Sequence, residues 1–226
     1  MRKKLLGLGV AAAVAAGLLV TVGTASAASG SAKLNVVHGI PGVTVDVCVD
    51  GSKAIPNFHP GDVVKGVALP AGSHTFKIVA QGDACSATGI LVVTTPLKAG
   101  ENYTAIAALN PKGNPKLLLF TNNVNPTKPG NARLTVRHTA DAPAVNVWAN
   151  GDKLIGGKDF TFGDSATLQA RKGIYAAWVS LPGDFTPVIG PAVRELKAGH
   201  AYQVYAWGNG TDGYNLAVVG LKVGTN

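Results

Sequence analysis

Two histidines, His38 and His138, occupy matching places in this chain, each closing an apolar run and each followed by a turn that contains proline. Imidazole can ligate a metal or carry a proton. Asp46 and Asn146 follow at equal spacing, and the two cysteines, Cys48 and Cys85, fall in the first half of the chain. A zinc site needs three or four converging ligands, and no C-x-x-C, H-x-x-H or H-E-x-x-H spacing is present. His59 and His74 have no counterpart in the second half, and His200 has none in the first. His38, His138, Asp46 and Asn146 are therefore expected to hydrogen-bond and fix turns. A position that is Asp in one half and Asn in the other suits a hydrogen-bond acceptor better than a proton carrier. G-x-S-x-G, G-x-x-x-x-G-K-[ST] and G-x-G-x-x-G motifs are absent. The expectation is a protein without catalytic residues, metal ligands or cofactors, and not an enzyme.

Trp148 stands where the first half has Cys48, and all three tryptophans, Trp148, Trp178 and Trp207, lie in the second half. Successive side chains of a strand point to opposite faces. If Val145 and Val147 face a core, Asn146, Trp148 and Asn150 point outward; if Tyr202, Val204 and Ala206 face it, Gln203, Tyr205 and Trp207 point outward. Trp178 is then expected in the core. Trp148, Tyr205 and Trp207, flanked by Asn146 and Gln203, would form an aromatic platform of the kind that stacks on sugars. Outward aromatics also serve cross-strand pairs and contacts between domains.

These side chains need strands to hold them. Val43, Val45, Val47 and Val49 alternate with polar residues before Asp50-Gly51, a hairpin dipeptide. Short β-branched runs separated by Gly- and Pro-containing turns continue to residue 120 and resume after 132. The two halves repeat one another. Ala32, Leu34, Val36, His38, Val45, Val47 and Gly51 meet identical residues at 132, 134, 136, 138, 145, 147 and 151, and Leu97 to Gly100 matches Leu196 to Gly199. The predicted architecture is all-β, with two tandem antiparallel β-sandwich domains of the immunoglobulin or transthyretin type at 32–120 and 132–226. A polar linker at 121–131 joins them.

Arg2, Lys3 and Lys4, an apolar stretch from Leu5 to Val22, and Ala25-Ser26-Ala27 follow the order of a bacterial-type signal peptide over 1–27. Its removal takes three positive charges, so the formal charge falls from +8 to +5. With so few net charges and no basic run, nucleic acid is not an expected partner. An even cysteine count in an exported chain argues for a Cys48–Cys85 disulfide.

A strand ending in His, a Pro-containing turn, Val-Asp-Val or Val-Asn-Val, Asp-Gly or Asn-Gly, then Leu-Pro-Ala-Gly resembles the bacterial domain-of-unknown-function family 4397. The pieces are Val36 to Pro41, Val45 to Val47, Asp50-Gly51 and Leu69 to Gly72, and in the second half His138 to Val147. The second half departs with Gln169 and Arg171 at the places of Pro70 and Gly72. The resemblance implies a tandem, exported protein and no assigned chemistry. The expected function is a non-catalytic binding or structural module, secreted or cell-wall associated, without stable membrane insertion after cleavage. Cell-wall polysaccharide, read by the second-domain aromatics, or another surface protein is the expected partner, and an unrecognised enzyme is the third possibility.

Overall fold

The computed structural model describes residues 30–156 and 160–226; the signal peptide expected over 1–27 lies outside them. The first half forms β1 (Ser31–Gly39), β2 (Val45–Val49), β3 (Ser52–Phe58), β4 (Val63–Pro70), β5 (Gly72–Ala80), β6 (Leu91–Leu97), β7 (Asn102–Leu109) and β8 (Pro115–Thr121). The second forms β9 (Asn131–His138), β10 (Asn146–Ala149), β11 (Asp152–Gly156), β12 (Ser165–Arg171), β13 (Gly173–Ser180), β14 (Pro187–Leu196), β15 (His200–Asn209) and β16 (Gly213–Lys222). As the sequence predicts, Asp50-Gly51 and Asn150-Gly151 turn tightly, all four with positive φ.

Each half is a sandwich of two four-stranded sheets, ordered β4-β1-β7-β8 over β3-β2-β5-β6 and β12-β9-β15-β16 over β11-β10-β13-β14. The sheets are mainly antiparallel, as expected, with one parallel pair in each half. β1 runs parallel to β7, and β9 parallel to β15, because the last hairpin of each half returns beside the strand that opened it. Strand register matches Arg171, rather than Gln169, to Pro70: Asn131 lies opposite Arg171 as Ser31 lies opposite Pro70.

Leu34, Val45, Val47, Phe76 and Ile78 centre the first core, and Val136, Val145, Val147, Phe160 and Val179 the second. A third apolar cluster joins Val37, Ile106 and Ala108 of the first sandwich to Tyr205, Trp207, Ala217 and Val219 of the second. The four sheets are thus stacked, and the inner two are covered on both faces. The segment between the sandwiches is anchored. Arg133 donates to the carbonyls of Asn123 and Asn125 at 3.0 and 2.8 Å. Thr127 forms a parallel bridge with Thr225, its amide donating to the Gly224 carbonyl at 3.1 Å.

Candidate functional site

The paired histidines act within their turns. His38 Nε2 lies 2.9 Å from the Val43 carbonyl and His138 Nε2 2.8 Å from the Pro143 carbonyl. Both rings are buried, which pulls their pKa values below the ordinary histidine range even though the carbonyl contacts oppose this. Asp46 accepts from Lys53 at 2.5 Å, from the Asn57 amide at 2.8 Å and from the Gly82 amide at 3.1 Å. The Lys53 hydrogen bond, with help from these amides, holds its carboxyl below the usual range. Asn146 is buried, and its Oδ1 has no hydrogen-bond partner among the described residues. Among those residues no three His, Cys, Asp or Glu side chains converge as a metal site would require.

Cys48 and Cys85 form the disulfide. Cys48 lies on the outer face of the β2–β5 pair, so the bridge pins the segment between β5 and β6 across that face. Trp148 occupies the matching place, directly opposite Trp178 in register. The rings stack at 6.0 Å and Phe185 covers Trp148 at 4.9 Å, while the indole N–H donates to the Ser180 hydroxyl at 2.9 Å. An aromatic stack therefore does in the second sandwich what the disulfide does in the first, holding the segment between the third and fourth strands of its sheet. Trp178 shares this outer face and is not a core residue, since it pairs in register with Trp148. Trp148 points outward as alternation predicts, but it is only 8% exposed.

The platform expected from Trp148, Tyr205 and Trp207 with Asn146 and Gln203 does not form. All five side chains are buried. Alternation placed Gln203, Tyr205 and Trp207 on the correct face of β15; that face is covered by the first sandwich. Trp207 docks on Gly61, where a Cβ would come within 2.9 Å of its ring, and on Gly39, where one would lie 3.1 Å from the Trp207 Cβ. Arg137 donates to the Tyr205 hydroxyl and, at 3.0 Å, to Asn122, which donates to Asn102 and Thr104, both at 2.8 Å. Its guanidinium also lies 4.4 Å above the Phe120 ring. Burial pushes the Tyr205 phenol above its ordinary pKa against the pull of Arg137. This is an interface between sandwiches, with no face left for a sugar.

The feature the sequence reading missed lies inside the second sandwich. Between its sheets is an apolar cavity of about 400 Å³, lined by Leu134, Val147, Ala177, Ala192, Val204 and Val218 among others. The corresponding space in the first sandwich is about 20 Å³. Register gives the cause. Phe76 pairs with Val49 and Val93, and its counterpart Ala177 pairs with Ala149 and Ala192. Leu69, opposite Ala32, is matched by Ala170, opposite Ala132. Four larger apolar side chains, Phe76, Val49, Val93 and Leu69, are thus replaced by alanine, and the backbone does not close the gap. At one end of the cavity the lining takes in Arg171, Tyr175 and Arg194. A mostly apolar chamber of this volume with a few polar groups in its lining has the proportions of a small-molecule site.

No curated protein matches the chain in sequence. Among solved structures it is similar to the Bacillus anthracis TIE protein, with 16% identity and a TM-score of 0.25 over 79% of this chain, and it spans about a third (34%) of that protein. It is also similar to a candidate cell adhesion protein from Bacteroides eggerthii DSM 20697, with 9% identity and a TM-score of 0.26 over 87% of this chain and 98% of that one. The model of one family, described as a domain of unknown function, DUF4397, matches residues 32–148, which include the whole first sandwich and the opening strands of the second. The His-turn and Val-Asp-Val elements that brace the first sandwich fall within that span, and the chain belongs to the DUF4397 family.

Proposed function

We propose that this is an exported, non-catalytic binding module in which the first sandwich is a braced support and the second is a receptor for a small apolar ligand. The cavity of about 400 Å³ carries the reading. At about 24 cal/mol per Å³, an unfilled apolar cavity of that size costs on the order of 10 kcal/mol. That equals the whole stability of an ordinary domain, so an apolar occupant relieves a large penalty. The disulfide, the linker hydrogen bonds and the stacked inner sheets all rigidify the frame around the site, and a preformed chamber loses little on binding. Export rests on the leader-like order of residues 1–27 and on the disulfide, which persists in oxidising compartments.

The test is titration of the purified protein with N-phenyl-1-naphthylamine, a neutral apolar fluorophore. Saturable enhancement that is lost in Ala177→Phe, a variant that restores the first sandwich's side chain, is the expected result. Equal enhancement by protein and variant refutes the cavity as the site.

A further inference from the structure

The cavity has a chemically distinct end. Arg194 lies on the inner face of β14, between Ala192 and Leu196 in the alternation and opposite Tyr175 in register. Both Arg194 and Tyr175 belong to the lining. In the first sandwich Thr95 and His74 hold these places, and His74 closes the end itself, with its ring nitrogens 2.6 Å from Asp50 and 2.8 Å from the Pro70 carbonyl. In the second, Tyr175 turns its hydroxyl to the Arg171 carbonyl at 2.9 Å, at the rim. The Arg194 guanidinium is exposed, and its one hydrogen bond among the described residues runs to the Val193 carbonyl at 3.5 Å. Its neighbour Glu195 also belongs to the lining, and its carboxylate pairs with Lys197 at 3.7 Å. Among the described residues no carboxylate lies within 4.0 Å of Arg194 or Arg171.

Resting on the reading of the cavity as a ligand site, we infer that its occupant is a single-chain amphiphile with an anionic head. The hydrocarbon chain lies between the sheets against the apolar side chains of Ala177, Ala192 and Val204. The head stays at the solvent end, where the planar guanidinium of Arg194 meets a carboxylate or phosphate oxygen pair and Arg171 adds a second positive charge. Desolvating the head is avoided because the charged end of the cavity is also its wet end.

The experiment is isothermal titration calorimetry of the purified protein with octanoate, decanoate and dodecanoate below their micellar concentrations, beside dodecyl phosphate and the neutral 1-decanol. Affinity is expected to rise about fourfold per added methylene. Decanoate is expected to bind about fivefold more tightly than decanol, the size of an exposed charge pair. Arg194→Gln removes that preference and leaves decanol affinity and melting temperature unchanged. Tighter binding of dodecyl phosphate than of dodecanoate identifies a phosphate head, and the reverse a carboxylate. If Arg194→Gln keeps the preference for the acid, or if acid and alcohol bind equally, the anionic head is refuted, while loss of decanol binding in Ala177→Phe still upholds the cavity. Absence of saturable binding by every chain overturns both readings.

Discussion

Ala177→Phe is the change whose sign separates a true chamber from a packed core. Ala177 and Phe76 occupy the same place on the same strand of their sandwiches, each beside the apolar residues of the second strand. Deleting a buried Phe side chain costs about 3–5 kcal/mol. Restoring one into a preformed hole should return about half of that, near 2 kcal/mol, since the ring must accept whatever rotamer the alanine-lined space permits. For a folded protein of this size each kcal/mol moves the melting temperature by about 2–4 °C, so a rise of about 4–8 °C is expected by differential scanning calorimetry. Were the second core packed like the first, the same substitution would overpack it and cost about 1–3 kcal/mol, and the melting temperature would fall. A fall refutes the reasoning. The reciprocal variant, Phe76→Ala, should lose about 3–5 kcal/mol and bring the first sandwich toward the open state of the second.

Replacing both Cys48 and Cys85 with serine should cost about 4 kcal/mol for a loop of 37 residues, read as a lower midpoint in urea with no loss of N-phenyl-1-naphthylamine binding. Gly61→Ala sets a Cβ within 2.9 Å of the Trp207 ring at a positive φ, and should cost about 1–3 kcal/mol while speeding proteolysis within 121–131. Tyr205→Phe strands the buried Arg137 donor and should cost about 1–3 kcal/mol by chemical denaturation. His38 and His138 have folded pKa values below the ordinary value of 6.5, so the unfolded chain binds protons first as pH falls. Their contribution is complete above pH 6.5 and is lost as pH falls toward the folded values, at up to about 1.4 kcal/mol per pH unit for each ring. His74 works in the opposite sense: burial lowers its pKa, but the Pro70 carbonyl and Asp50 together outweigh this and raise it, so its contribution is lost as pH rises through that raised value. His138→Asn should flatten the acid limb of a melting-temperature profile between pH 7.5 and 5, and an unchanged slope would refute the assignment.

Strand alternation, the Asp-Gly and Asn-Gly turns and the bracing histidines were legible because each depends on neighbours a few residues away. Alternation even assigned Trp148, Tyr205 and Trp207 to the correct face of their strands. What covers a face depends on the whole fold: Phe185 closes over Trp148, and Gly61 and Gly39 of the other sandwich receive Trp207. The cavity was hidden for a related reason. Ala177, Ala170 and Ala192 each read as an ordinary apolar strand residue, and their shared consequence emerges only when strand register sets them against Phe76, Leu69 and Val93. A repeat-by-repeat comparison of side-chain size was the available signal.

The bridge between Thr127 and Thr225 also decides how the molecule bears tension. It clasps together the two ends of the second sandwich, from the segment before its first strand to the segment after its last. A pull that enters at β1 and leaves beyond Thr225 therefore crosses from residue 127 to residue 225 directly. The second sandwich hangs beside the line of force, unstretched, until that clasp gives way. Its cavity would keep its shape under shear that is already straining the disulfide-braced sandwich next to it.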